Sequence, residues 1–106
     1  MDNTSQEMLI MHLIVDAGNA RSFSMQAIQL AKEGKFAEAK ANIEEANEAL
    51  SKVHGLQTDL IQKEAQGEHT EINLLMVHAQ DHIMTAMLAR DLAREIIDLH
   101  ELISQK

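Results

Sequence analysis

A chain of 106 residues, 45% of them hydrophobic, is long enough for one domain with one modest core, and it is not a disordered tail. Its formal charge of −8 repels phosphate backbones and argues against nucleic-acid binding, while the lack of cysteine excludes disulfides, thiolate metal sites and cysteine catalysis within the chain. No stretch approaches the roughly 18 apolar residues of a membrane span, and the opening MDNTSQE lacks a basic n-region, so a cytoplasmic protein without membrane insertion is expected.

The predicted elements are three helices. TSQE at 4–7 fits a capping box, with Thr4 as N-cap and Glu7 reaching back. The first helix follows, with Met8, Met11, Val15, Phe23, Ala27 and Ala31 contributing apolar faces and Gly34 as its C′ stop. The small residues of the 18–22 stretch GNARS are a weak point where another backbone could approach closely. The second helix is expected from about Phe36 to Ala65. Phe36, Ala39, Ile43, Ala46, Leu50, Val53, Gln57 and Leu60 alternate steps of three and four there, a narrow coiled-coil type of seam, with Gly55 as an internal weakness. The break is QGEHT at 66–70, with Gly67 as stop and Thr70 as the next N-cap.

The third helix is expected from about Glu71 to Ile103. Leu75, Ala79, His82, Ala86, Ala89, Ala93, Ile96 and Ile103 form one stripe; Leu74, Asp81, Met84, Leu88, Leu92, Leu99 and Leu102 form another. Together they cover more of the circumference than one bundle contact needs. The fold class is therefore all-α: an antiparallel up-down-up three-helix bundle occupying residues 1–106 as a single domain. Its spare apolar face calls for copies of itself, in a symmetric oligomer with third helices around the axis. The absence of proline suits long helices, and Phe23 and Phe36 are the only aromatics apart from histidine. A sugar or nucleobase site generally offers an aromatic face, so any such ligand belongs on another chain.

The apolar third helix is interrupted at 77–84, VHAQDHIM, where His78, Asp81 and His82 cluster. At about 100° per residue, Asp81 and His82 flank His78 on either side, while Gln80 points some 200° away, toward another surface that could face a neighbouring subunit. A helix that needed only packing would carry leucine or alanine at Asp81, because an unpartnered buried carboxylate costs several kcal/mol. Three readings compete. In the first, the module is non-catalytic and its histidines only tune packing. In the second, histidines at i and i+4 with a nearby acid form a zinc-type hydrolase site, although Ala79 stands where a zincin has its glutamate base and no third ligand is apparent. In the third, Asp81 from three subunits meets on a three-fold axis and shares a divalent cation, or is partly protonated. His78 then lies near a subunit boundary as a nucleophile for phosphoryl carriage, with His82 one turn on as a hydrogen-bond donor. The chain has neither a Walker A loop nor a kinase glycine loop, so the phosphoryl group would come from another phosphoprotein.

The segment LLMVHAQDHIMTAMLARDLA, with DAGNARS and LIQKEAQGE upstream, resembles the IIA component of the lactose/cellobiose (N,N′-diacetylchitobiose) class of the bacterial sugar phosphotransferase system, over essentially the whole chain. The resemblance implies a homotrimer of three-helix subunits that acts as a phosphotransferase component. By it, His78 is the phosphoryl acceptor, charged by the phosphocarrier HPr and discharged to a cysteine of the cognate IIB component. Asp81 corresponds to the ligand of one divalent metal per trimer, usually Mg2+, and His82 to a supporting histidine. The sugar is phosphorylated elsewhere, as it passes through the IIC component.

Overall fold

The computed structural model describes residues 3–106, with side chains from Ser5 onward. Three helices account for most of these: α1 (Asn3–Lys32), α2 (Phe36–Ala65) and α3 (Leu74–Ser104). α1 is already helical at Asn3, so Thr4 lies inside the first turn; its side chain, and with it the expected capping box, lies outside the described residues.

Both turns follow from a glycine in the left-handed region. Gly34, at φ +79°, ends α1 in a Schellman motif: the Lys35 amide donates to Leu30 O (2.9 Å) and the Gly34 amide to Ala31 O (3.0 Å). Gly67, at φ +91°, ends α2 in the same way, with Glu68 donating to Lys63 O (2.8 Å) and Gly67 to Glu64 O (3.1 Å). The bounds of α2 are those the seam predicts. α3 starts later than expected, at Leu74, because Asn73 rather than Thr70 is the cap. Asn73 sits in extended backbone (φ −138°, ψ 175°), and its side-chain oxygen accepts from the Met76 amide at 2.8 Å.

The buried residues of α1 and α3 rise in step, as expected for parallel neighbours. Ile10, Leu13, Ala17 and Ala20 belong to one cluster with Met76, Ala79, Ile83 and Ala86; Ala27 and Ala31 belong to a second with Ala93 and Ile97. α2 completes both clusters through Ala46, Leu50 and Val53 in the first and Ala39 and Ile43 in the second. Alanine dominates the second cluster, which lets the three backbones approach closely where no large side chain intervenes.

Two phases of the sequence pattern are corrected. On α1, Met8, Met11 and Val15 face outward, and the core line is Ile10, Leu13, Ala17 and Ala20. On α3, Ala79, Ala86 and Ala93 are buried as expected, but Leu75, His82, Ala89 and Ile96 lie on the half-buried shoulder while Met76, Ile83 and Ile97 fill the core. Neither Gly18 nor Gly55 breaks its helix, and a Cβ built at Gly18 meets nothing within 4 Å, so no backbone approaches it within the subunit.

Across α2 and α3 the ties are polar. Gln57 Nε2 donates to Gln80 Oε1 at 2.8 Å, and Arg90 Nη1 donates to Asn47 Oδ1 at 2.9 Å.

Candidate functional site

α3 places three ionisable side chains within its first three turns. His78 and Asp81 are exposed and His82 is half-buried. The histidine rings meet edge to face, with centroids 4.3 Å apart at 85°, and the two Nε2 atoms are 3.0 Å apart. At that distance one ring nitrogen donates and the other accepts, so the pair carries one Nε2–H between them when both are neutral. The helical period creates this contact, since residues four apart stack on one flank.

The flank is set by Gln80. Its amide is half-buried against α2, bonded to Gln57 and contacting Met76 Sδ at 3.6 Å. His78 projects roughly 200° away from it on the helical wheel, so the histidine pair lies on the flank of α3 opposite α2. Gln80 therefore ties α2 to α3 within the subunit, a role that its neighbour Gln57, taken from the sequence as a seam residue, helps to supply.

Asp81 belongs to the outer face. Its backbone carbonyl accepts from Thr85 Oγ1 at 3.0 Å, but its carboxylate has no hydrogen bond or ion pair among the described residues. Around it runs the second stripe. Leu74, Val77, Met84, Leu88, Leu92, Leu99 and Leu102 are each between 52% and 84% exposed. A largely apolar strip of this length along one helix, interrupted by Asp81 and by Glu95 between Leu92 and Leu99, marks a surface built for contact. Among the described residues, no three His, Cys, Asp or Glu side chains of one subunit converge on a metal position. Within one subunit the zinc-type reading thus finds no third ligand among the described residues.

A family model described as "PTS system, Lactose/Cellobiose specific IIA subunit" matches residues 8–101. The chain belongs to that family. The lichenan-specific phosphotransferase enzyme IIA component of Bacillus subtilis is 51% identical to it over 104 residues, which is 98% of this chain and 94% of the relative. The N,N′-diacetylchitobiose-specific EIIA component of Escherichia coli is 46% identical over 95 residues, 90% of this chain and 82% of the relative. Among solved structures, the cellobiose-specific enzyme IIA from Bacillus anthracis superposes with a TM-score of 0.90 at 48% identity, covering 100% of this chain and 95% of that one. The IIA component in the E. coli IIA(chitobiose)–HPr complex gives 0.79 at 40% identity, covering 98% of this chain and 99% of that one. The three-helix fold is thus the fold of IIA components, and the histidine pair sits on its third helix.

Proposed function

We propose that this IIA component is a phosphoryl carrier for uptake of a lactose/cellobiose-type sugar, with His78 as the acceptor. The observation that carries the reading is the His78 ring itself: exposed on the outer flank of α3, with His82 Nε2 3.0 Å from its own Nε2. The complex of the related chitobiose IIA with HPr supports HPr as donor. A lone-pair nitrogen of His78 attacks the phosphorus of phospho-HPr; a new P–N bond forms as the donor's P–N bond breaks, its electron pair returns to the donor nitrogen, and each ring keeps the proton on its other nitrogen. The His82 N–H then turns from the His78 ring to a phosphoryl oxygen, a charge-assisted hydrogen bond of the stronger kind. In the discharge step a thiolate of the IIB component takes the phosphoryl group, and His78 returns to neutral imidazole.

The assembly we infer is a homotrimer with α3 helices around the axis, which would cover the exposed stripe and bring three Asp81 carboxylates together. A donor set of carboxylate oxygens alone suits a hard cation such as Mg2+. That ion would offset two of the three like charges in an apolar surround. No helix among the described residues is long and apolar enough to cross a membrane, which agrees with a cytoplasmic carrier that meets the membrane only through IIB and IIC partners.

Incubation with phospho-HPr should give an acid-labile, base-stable adduct on the wild-type chain and none on His78→Ala. A His78→Ala protein that still takes up label would overturn the assignment.

A further inference from the structure

Away from the histidines, α2 and α3 bound a groove of about 280 Å³ lined by Asn47, Leu50, Ser51, His54, Met87 and Arg90. Leu50 and Met87 give it an apolar base, and each of the other four side chains can donate a hydrogen bond. The chain holds 17 acidic against 9 basic residues, yet no carboxylate lines this groove. Arg90 is the organising group. Its side chain is only 18% exposed, and it is held by Asn47 Oδ1 (2.9 Å, from Nη1) and Asp91 Oδ1 (2.8 Å, from Nε). Two of its five N–H groups are thereby used and three remain. Because the Asn47 oxygen is taken by Arg90, its amide presents two N–H donors. Ser51 adds a hydroxyl, and the His54 imidazole has at least one N–H in any protonation state.

We propose that this groove is an anion site for a small phosphate monoester, separate from the phosphoryl-transfer histidines. A planar carboxylate would be saturated by the guanidinium alone. Donors arriving from two helices suit the three terminal oxygens of a tetrahedral phosphate, and the apolar base leaves room for the carbon skeleton of the ester. The pinned guanidinium gives the site its pre-organisation, since Arg90 has little rotamer freedom left to lose on binding.

The test is a titration of the intact, isotopically labelled protein with inorganic phosphate and with glucose 6-phosphate, at ionic strength held constant with chloride and followed by NMR. The expected result is saturable shifts at Asn47, Ser51, His54 and Arg90, with the ester binding several-fold more tightly than the free ion. Arg90→Gln should weaken binding at least tenfold, and Arg90→Lys should restore only part of it. If Arg90→Gln loses its helical circular dichroism, the Ser51→Ala/His54→Gln double variant takes its place, with a several-fold weakening expected. Shifts confined to His78 and His82, shifts reproduced by chloride, preference for inorganic phosphate over the ester, or unchanged affinity in the folded variants would each overturn the proposal. Phosphoryl acceptance at His78 is a separate readout, so failure here leaves the carrier function standing.

Discussion

The two long faces of α3 are both apolar and meet opposite fates. The inner face, Met76, Ala79, Ile83, Ala86, Ala93 and Ile97, is at most 7% exposed, whereas Leu74, Leu88, Leu92, Leu99 and Leu102 on the outer face are all more than half exposed. Hydrophobicity alone does not distinguish them. Size does: the inner face is rich in alanine, because the α1 backbone runs alongside, and the outer face is rich in leucine, because nothing in the subunit limits its reach. The inner face holds the bundle together, and the outer face is apolar surface that assembly would remove from water at about 25 cal/mol per Å².

Charging the outer face should have the larger effect on the molecule's state. Leu88→Glu places three like charges around the axis of the proposed trimer. Sedimentation should show monomer, while helical circular dichroism stays at the wild-type value. A variant that remains trimeric would remove Leu88 from the interface. Truncating the inner face acts on the fold instead. Ile83 is fully buried, and Ile83→Ala should cost about 2–5 kcal/mol, read as a lower urea midpoint at fixed protein concentration with the slope unchanged. Equal midpoints for the two proteins would mean that the cavity collapses or that Ile83 is not in the core.

Much of this contrast was legible in the sequence, and the parts that were not share a cause. Gly34 and Gly67 marked both turns, because a left-handed residue after a helix is rarely anything else, and the narrow seam of α2 fixed its bounds and its buried line. The phase of α1 was not legible. That helix is apolar on two sides, so Met8, Met11 and Val15 fit a helical period as well as Ile10, Leu13 and Ala17 do. The same ambiguity moved the expected core line of α3 onto its shoulder, where Leu75 and Ile96 are half-buried. Thr70, three residues after the glycine break, fits an N-cap by sequence, yet it is the Asn73 side chain that takes the Met76 amide. The close His78–His82 contact follows from spacing alone; the Gln57–Gln80 and Asn47–Arg90 bridges do not, since they depend on how α2 and α3 are aligned.

Asp81 sharpens the comparison from within the outer face, where its carboxylate interrupts the apolar stripe. Replacing a buried charged cluster by apolar residues is often neutral or stabilising by about 1–4 kcal/mol. Asp81→Leu should therefore keep the proposed trimer and lose its proposed metal, with sedimentation unchanged and elemental analysis falling to background. Monomer in that variant would mean that the cation, rather than the leucine stripe, holds the assembly.

The smallest effect belongs to a charge on neither face. Glu33, in the turn after α1, accepts from Gln29 Nε2 (3.2 Å) and pairs with Lys35 Nζ (3.3 Å). The Gln29 hydrogen bond, followed by the hydrogen bond and charge of Lys35, holds its carboxyl below the usual carboxylate value. A lowered folded value means that the ionised form favours the fold. The contribution is present above the unfolded pKa and disappears as pH falls through the folded one. Because Glu33 lies in solvent, salt screens most of it. Wild type and Glu33→Gln should melt together in about 0.15 M salt. At low salt the wild type should show at most a slight lead near pH 7, and acidification through the carboxylate range should close it. A lead that widens on acidification would reverse the sign and show that the Gln29 and Lys35 contacts do not act on the carboxylate in this way.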